Sequence, residues 1–454
     1  MPTLQPDAID VPSFIADRKV GGFQWLVVGL CTLTVFLDGY DTQSVAFVAP
    51  SIAAEWHLSH LQLGPLFTAS LVGLLIGALG FGLLADRVGR RVMVMVCTAT
   101  FGLFTLATAL SNDFTTLLIL RFIAGLGLGG GMPNAIALTA EYCPERRRAT
   151  LVMLMFAGFS LGAAASGGVA AALIPTWGWR AVWIIGGIVP LLLVVVQYLA
   201  LPESIRFLLV RNAPRERVVR LLSRIDPKTH FSETARFDLG EPPTPGVPVV
   251  QLFAGRRAFG TIMLWAMFFT NLLDLFLLQN WIPVLTHDAG IPVQTAVTIG
   301  TMFQVGGTLA CFAVGWPIDR FGPYKVLTVM YAAAFLLMVA LGRAGADVAL
   351  WTGLTFVAGF CIVGGQNAAN ALAAIFYPTA IRSTGVGWSL GIGRVGAILG
   401  PLFAGFLLSL HWPIASVFLV GAIPLAVAAF ACAAMGVSYG RPTTGPREAV
   451  VGAR

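Results

Sequence analysis

Five charged side chains lie inside long apolar stretches of the sequence, where a charge is costly. They are Asp38, Asp41, Arg121, Asp274 and Arg394. A charged residue at the centre of a membrane helix costs at least about 2.5–3.5 kcal/mol on insertion scales. Each of the five therefore needs either a partner or a function, and we treat them as the first candidates for chemistry.

Asp38 and Asp41 are three residues apart and would share one face of a helix. Two carboxylates in a low-dielectric site disfavour each other's ionised form, so at least one should take up a proton readily. The pair could bind protons or substrate, or it could form a structural ion pair. Paired carboxylates also suit metals or acid–base catalysis, but no histidine or nucleophile motif accompanies them, so we expect no metal site.

Arg121 and Arg394 are permanently charged and can fork onto a carboxylate with two hydrogen bonds. Either could hold an anionic substrate or pair with Asp38 or Asp41. Arg394 is the better substrate candidate because the last five apolar stretches contain no acid. Asp274 could still neutralise it from the stretch before them.

Amide and aromatic side chains occur at similar depths in the apolar stretches. We include the following as candidate substrate-binding residues: Tyr40, Asn134, Gln304, Gln366, Asn370 and Trp388, together with Asp274.

The apolar stretches themselves predict membrane-spanning helices. Of the residues, 57% are hydrophobic and 11% charged, against about 25% charged in soluble domains, which excludes a soluble enzyme and a disordered chain. Each stretch is near or above the ~20 residues that a helix needs to cross a bilayer. A β-barrel would show shorter, alternating segments. We count twelve stretches: 23–50, 61–85, 92–110, 114–140, 149–175, 181–201, 258–286, 291–318, 326–342, 348–377, 383–410 and 412–438.

Lysine and arginine set the orientation of such helices. With the N-terminus inside, 24 of them fall on the inner side and two, Arg180 and Arg343, on the outer side. Both termini are therefore expected in the cytoplasm, with the protein multi-pass in the bacterial inner membrane. The net charge of +7 then reflects topology and predicts no nucleic-acid partner. The first apolar run is too long for a cleavable signal, so we expect it to remain as a helix.

A polar stretch divides the twelve helices six and six. Its Pro-rich run, 241–248, is typical of a semi-rigid linker. The predicted organisation is an all-α membrane protein with these parts: N-tail 1–22, first bundle 23–201, central cytoplasmic loop 202–257, second bundle 258–438 and C-tail 439–454.

The two halves carry the same loop motif. Residues 82–91 (GLLADRVGRR) and 315–325 (GWPIDRFGPYK) share the spacing G-x-x-x-D-R-x-G, 233 residues apart. Arginines there could be ordinary positive-inside anchors, which would not explain the aspartates. A weaker repeat places Tyr142 and Tyr377 before a proline and an arginine after the fourth and tenth stretches.

This motif resembles that of the major facilitator superfamily, a group of transporters built from repeated halves. The resemblance implies two six-helix bundles around a central cavity that opens alternately to each side. It also implies a cytoplasmic gate, which we assign to Gly82, Asp86, Arg87, Gly89, Arg90, Arg91, Glu145, Arg146, Asp319 and Arg320. Pro323 stands where the first copy has Arg90, which argues against a second gate of equal strength.

Longer segments are similar to the aromatic acid:proton symporter family. They are 36–43 (FLDGYDTQ), 120–134 (LRFIAGLGLGGGMPN), 141–146 (EYCPER), 201–208 and 382–394, within a match from Trp25 to Leu410. The resemblance implies import of an aromatic carboxylate of the hydroxybenzoate type, driven by protons as the coupling ion and without a cofactor.

In such a symporter Asp38 and Asp41 would couple the proton, and Arg121 would serve coupling or anion attraction. Arg394 would hold the carboxylate, and aromatic side chains would flank the ring. We expect a monomer.

Three other functions remain open at this point. A drug or organic-anion antiporter tends to carry Gly-x-x-x-Gly-Pro in its fifth helix, and the glycines of that stretch here lack the proline. A sensor that binds aromatic acids without moving them would need a signalling domain, and no long polar segment besides 202–257 could supply one. A membrane enzyme would need a nucleophile, metal or cofactor motif, and we find none in the sequence.

Overall fold

The computed structural model describes residues 8–16, 18–229, 231, 235–238, 249–255, 257–378 and 381–439. Within these ranges it leaves out the side chains of Ala8, Leu83, Asp86, Glu145, Arg148, Ala149, Met153 and Ser383. The elements in chain order are β1 (Ala8–Asp10), α1 (Val11–Ala16), α2 (Gly22–Trp56), α3 (His60–Val88), α4 (Arg90–Ala109), α5 (Phe114–Tyr142), α6 (Glu145–Trp177), α7 (Arg180–Ala200), α8 (Ile205–Val210), α9 (Arg215–Ile225), β2 (Arg236–Asp238), α10 (Arg257–Asp288), α11 (Val293–Ala313), α12 (Gly315–Phe321), α13 (Pro323–Leu341), α14 (Val348–Phe376), α15 (Arg382–Ser409) and α16 (Ile414–Tyr439).

Twelve of these helices are long and apolar enough to cross a membrane. They are α2–α7, α10, α11 and α13–α16, which confirms the predicted all-α, twelve-helix fold. Most boundaries differ from the sequence prediction by one to four residues, and two differ by more. Helix α2 continues to Trp56, and the eighth stretch is interrupted at Val314 between α11 and α12.

The second six helices repeat the packing of the first six. In the first bundle α2 packs on α6, α3 packs on α5, and α4 packs on both α5 and α7. In the second bundle the corresponding contacts join α10 to α15, α11 to α14, and α13 to α16. The loop motif is thus one sign of a duplication that extends to the helix packing.

The two bundles meet mainly along three helix pairs, α3 with α15, α6 with α11 and α2 with α10, and α2 also contacts α11. We call the side on which residues 22 and 439 lie the termini side, and the opposite side the far side. On the far side α3 and α15 touch, since a Cβ on Gly64 would lie 3.4 Å from Leu402 Cα. On the termini side a Cβ on Gly82 of α3 or on Gly387 of α15 would meet no atom within 4 Å, and the described side-chain hydrogen bonds between the bundles all lie toward the far side. The structure is therefore open on the termini side.

The N-terminal residues and the central loop form a small folded unit. Strand β1 pairs with β2 in parallel, and Phe14 packs on Phe231 with ring centroids 5.5 Å apart. Arg18 Nε lies 2.8 Å from Asp226 Oδ2, and hydrogen bonds from Thr229 and Arg18 lower the pKa of Asp226. From the sequence, both segments are predicted only as a polar tail and a linker loop. The Pro-rich run 241–248 and residues 440–454 lie outside the described residues.

Candidate functional site

Asp41 and Arg121 form an ion pair with no solvent-exposed surface on either side chain. Arg121 Nη1 and Nη2 donate to the two carboxylate oxygens of Asp41 at 3.0 and 2.8 Å. Ser70 accepts from Arg121 Nε at 3.1 Å, and Thr105 donates to Asp41 at 2.5 Å. Trp183 lies beside the guanidinium, and the Cζ atom of Arg121 is 5.4 Å from the centroid of the Trp183 ring. The pairing of Arg121 with Asp41, one of the two alternatives in the sequence, is the one observed.

Glycines bring the helices that carry this pair close together. A Cβ on Gly39 of α2 would lie 2.1 Å from the carbonyl oxygen of Phe159 on α6. A Cβ on Gly125 of α5 would lie 2.1 Å from the carbonyl oxygen of Ser70 on α3. Only glycine permits such backbone contact. The close approach of α5 to α3 places Ser70 within reach of Arg121.

Asp38 is buried, one helical turn before Asp41, and accepts a hydrogen bond from Thr42 at 3.2 Å. Its charge interacts with that of Arg394 on α15 of the other bundle. Arg394 is half-buried, and no ion pair within 4 Å or hydrogen bond joins it to another of the described residues. Its five N–H donors are therefore available to a ligand between the bundles. Asp274 does not pair with it, so the sequence-based alternative of an Asp274–Arg394 pair is not observed.

Several predicted substrate-binding residues are already bonded inside one bundle. The Tyr40 hydroxyl donates to the carbonyl oxygen of Val182 at 2.9 Å, and Asn134 donates to that of Gly130 at 2.8 Å. In this conformation Tyr40 joins α2 to α7, whereas Asn134 bonds within its own helix α5. Their contact with a substrate stays a prediction.

Gln304 joins the two bundles instead of facing an open space. It donates to Gln43 Oε1 at 2.7 Å, and Gln43 in turn donates to the carbonyl oxygen of Gln279 at 3.2 Å. All three side chains are buried. A second inter-bundle contact on the far side places His60 Nε2 2.9 Å from Asp288 Oδ2. These contacts close the far side.

Gln366 and Asn370 belong to a chain of amides inside the second bundle. Asn271 Nδ2 donates to Gln366 Oε1 at 2.8 Å, and Gln366 Nε2 donates to Asn370 Oδ1 at 3.2 Å. Burial decreases along the chain, from fully buried Asn271 to half-buried Asn370. Trp388, 44% exposed, stacks on Trp265 with ring centroids 5.9 Å apart. An aromatic surface and amide groups are thus present in the second bundle, which also carries Arg394.

The predicted gate residues of the first loop bond within their own bundle. Arg90 forms an ion pair with Glu141. The Arg91 backbone N–H donates to Glu203 Oε1 at 3.0 Å, and its guanidinium donates to the carbonyl oxygen of Tyr198. Arg87 and Arg146 are exposed, while the side chains of Asp86 and Glu145 lie outside the described part of the structure. A gate between the bundles therefore stays a prediction for a conformation closed on the termini side.

The second loop has fewer bonds. Asp319 and Arg320 are both exposed, and Arg320 lies over the rings of Trp316 and Phe321 at 5.4 and 5.6 Å. The weaker second gate that Pro323 predicts stays a prediction.

Sequence reasoning missed several residues that complete these contacts. They are Gln43, His60, Ser70, Thr105, Glu141, Glu203 and Asp288. Glu141 and Glu203 carried a usable signal, since both are acids at the same membrane edge as the loop arginines. Ser70 and Thr105 carried none, because small hydroxyl residues are common in membrane helices.

Comparison with known proteins agrees with this architecture. The model of the Major Facilitator Superfamily matches residues 31–351 and 264–451. The chain belongs to this superfamily. The superfamily consists of transporters, so the protein is a transporter and not an enzyme, as the sequence predicts.

Curated superfamily relatives align over nearly the whole chain. The 4-hydroxybenzoate transporter PcaK of Pseudomonas putida is 43% identical, with 93% of this chain and 94% of that protein covered. The gallate transporter of Pseudomonas putida is 40% identical, with 96% and 97% covered. Among solved structures, the inward-open xylose transporter XylE from E. coli superposes with a TM-score of 0.68 at 21% identity, over 90% of this chain and 95% of that one. The last comparison supports the fold alone.

Proposed function

We propose that this transporter imports an aromatic carboxylate of the hydroxybenzoate type together with protons, by alternating access. The observation that carries the proposal is Arg394, a cation within a spanning helix that no described acid pairs. It belongs to the bundle with the stacked tryptophans and the amide chain, and it interacts with Asp38 across the bundles. Relatives named for transport of 4-hydroxybenzoate and gallate support an aromatic acid as the substrate.

Charge balance supports coupling to a proton. Asp38, Asp41, Arg121 and Arg394 together carry no net charge. A substrate carboxylate would add one negative charge to this low-dielectric region, and a single proton would restore neutrality. Anion and proton would therefore cross most easily together.

Asp38 is the acid that we expect to take up this proton. Asp41 is held by two hydrogen bonds from Arg121, whereas the counter-charge of Asp38 is the more distant Arg394. When a substrate carboxylate binds Arg394, Asp38 loses that counter-charge but keeps Asp41 as its neighbour. Like charges in a low-dielectric site favour the neutral acid, so substrate binding promotes protonation of Asp38.

The excess of lysine and arginine on the termini side supports a cytoplasmic location for both termini. The conformation is then inward-open, and the contacts of Gln43 and His60 close the periplasmic side. We further propose that one chain is the working unit.

Uptake into proteoliposomes tests the proposal. One proton coupled across a difference of one pH unit supports roughly tenfold accumulation of substrate. With an inside-alkaline gradient we expect labelled 4-hydroxybenzoate to accumulate, and a panel of benzoate, 3-hydroxybenzoate, protocatechuate, gentisate and gallate would define the substrate. Failure to accumulate any of them would overturn symport. Efflux of preloaded substrate under the same inside-alkaline gradient would indicate an antiporter, and saturable binding without counterflow would indicate a sensor.

Arg394→Lys tests the carboxylate site. Lysine keeps the charge but loses the two-pronged geometry, so we expect affinity for 4-hydroxybenzoate to fall about tenfold, as charge-assisted hydrogen bonds of 1.5–3 kcal/mol imply. Arg343→Lys, in an exposed far-side loop, is the matched control and should bind normally. Unchanged affinity in Arg394→Lys would indicate that Arg121, and not Arg394, binds the substrate carboxylate.

A further inference from the structure

Asp274 is a buried acid for which the proposed transport cycle has no role. It lies in the middle of α10 and has no exposed surface. Neither carboxylate oxygen has a hydrogen-bond partner among the described residues. An isolated ionised carboxylate in such a site would be far more costly than the neutral acid. Asp274 is therefore a carboxylic acid in this conformation, with one O–H group to donate.

The helices packed around α10 provide no charge that would stabilise an ionised Asp274. These helices are α2, α11, α14, α15 and α16. Among the described residues, none of the charges on these helices forms an ion pair with Asp274 within 4 Å. The charged and titratable groups that these helices carry are Cys31, Asp38, Tyr40, Asp41, Glu55, Cys311, Cys361, Arg382, Arg394, Cys432 and Tyr439.

Asn271 supplies the acceptor that this acid lacks. It precedes Asp274 by three residues, so the two side chains share one face of α10. Asn271 Oδ1 is itself buried and has no donor among the described residues. A protonated Asp274 can donate to Asn271 Oδ1, and this one hydrogen bond would give a partner to that oxygen and to one of the two Asp274 oxygens.

The direction of the amide chain follows from that bond. With Asn271 Oδ1 turned to Asp274, Asn271 donates to Gln366, and Gln366 donates to Asn370 Oδ1. Asn370, the half-buried end, is then left with its N–H donors to offer. An amide turned by 180° exchanges its oxygen and nitrogen. An ionised Asp274 would attract the Asn271 N–H groups, turn each amide in sequence and leave Asn370 presenting an oxygen.

We propose that Asp274 is a proton-binding site that sets the hydrogen-bond polarity of the chain Asn271–Gln366–Asn370. With the proton bound, the chain presents N–H donors, which suit the carboxylate or phenolic oxygen of an aromatic acid. With the proton released, it presents an acceptor and disfavours the anion. Asp274 is thus a positioning residue that links a second proton to substrate binding. The inference rests on the proposed function, since it assumes that the chain ends at the substrate.

The pH dependence of 4-hydroxybenzoate affinity tests this link in the purified full-length protein. Each proton linked to binding contributes one unit to the slope of log affinity against pH. At pH values at which both Asp38 and Asp274 are ionised in the substrate-free protein, we expect log affinity of the wild type to fall by about two for each pH unit. Asp274→Asn keeps a donor for Asn271 Oδ1 and cannot ionise, so its slope should fall by about one while its affinity at low pH is retained. Thr355→Val removes another buried, unpartnered hydroxyl of the same bundle and should leave the slope unchanged.

Two further variants separate the possible failures. If Asp274→Asn does not fold, Asn271→Leu removes the acceptor without touching the acid and should also reduce the slope by about one. Wild-type slope in both variants, or in whichever of them folds, overturns the role of Asp274. If Asp38→Asn alone flattens the profile, the proposed symport stands and this inference fails. If Asp38→Asn leaves the slope unchanged while Asp274→Asn reduces it, the Asp38 assignment fails and this inference stands.

Discussion

The two bundles share their helix pairings, but the first contains a buried ion pair and the second, among the described residues, contains none. In the first bundle Asp41 and Arg121 neutralise each other, and hydroxyls of Ser70 and Thr105 complete the hydrogen bonds. In the second bundle Arg394 has no partner within ion-pair distance among the described residues, and Asp274 has none at all. Duplicated architecture therefore does not imply duplicated function.

The loops repeat this contrast outside the membrane. In the first loop Arg90 pairs with Glu141, and Glu203 accepts from the Arg91 backbone. In the second loop Asp319 and Arg320 are exposed, and Arg320 contacts only aromatic rings among the described groups. In this conformation the first bundle thus pairs more of its charges than the second, which retains groups that can bind a ligand.

The largest expected effect is on the stability of the first bundle. Removing one partner of a buried ion pair typically costs 3–5 kcal/mol, because the other charge stays buried and unpaired. We expect Asp41→Asn to lower the free energy of unfolding by about that amount and to abolish gradient-driven uptake. Arg394→Gln, which breaks no ion pair, should change stability by no more than about 0.5 kcal/mol. Unfolding in detergent micelles, followed by tryptophan fluorescence, measures both.

The double variant Asp41→Asn with Arg121→Gln is the control for this contrast. It removes both charges, so much of the lost stability should return while uptake stays absent. Equal destabilisation by Asp41→Asn and Arg394→Gln would contradict the difference between the bundles.

The sequence predicts the helices well because their signal is local. Runs of about 20 apolar residues can form only helices in lipid, and the five charges stand out against them. The partners of those charges depend on which helix faces meet, which spacing along one chain does not determine. From the sequence alone, Arg121 could contact a substrate or Asp41. The close helix contacts at the glycines place it against Asp41. For the same reason Tyr40, beside the aspartates, faces Val182 inside its own bundle.

A smaller effect should distinguish the two copies of the loop. Gly89 and Gly322 both have positive φ, 107° and 83°, where other residues are strained. A Cβ on Gly89 would lie 2.5 Å from Glu203 Oε2, whereas a Cβ on Gly322 would meet no atom within 4 Å. We expect Gly322→Ala to cost about 1 kcal/mol through strain alone. Gly89→Ala should cost about 2–3 kcal/mol, because it also displaces Glu203 from the backbone of Arg91.

The same unfolding assay measures both glycine variants. Gly255→Ala, at a third positive φ with open space around it, is the matched control and should behave like Gly322→Ala. If all three variants lose the same stability, the Glu203 contact adds nothing to the first loop.

The smallest expected effect concerns the junction of the bundles on the far side. His60 of the first bundle and Asp288 of the second are each about one-third exposed, and exposed ion pairs contribute at most about 1 kcal/mol. His60→Ala should therefore shift the population toward the far-side-open conformation by up to about fivefold. Distances between spin labels at the termini-side ends of α3 and α15 report that shift, and Asp288→Asn should reproduce it. His411→Ala, in another far-side loop, should leave the distances unchanged. If it moves them as much as His60→Ala does, the closed far side depends on general packing, and the bundles are not held by this pair.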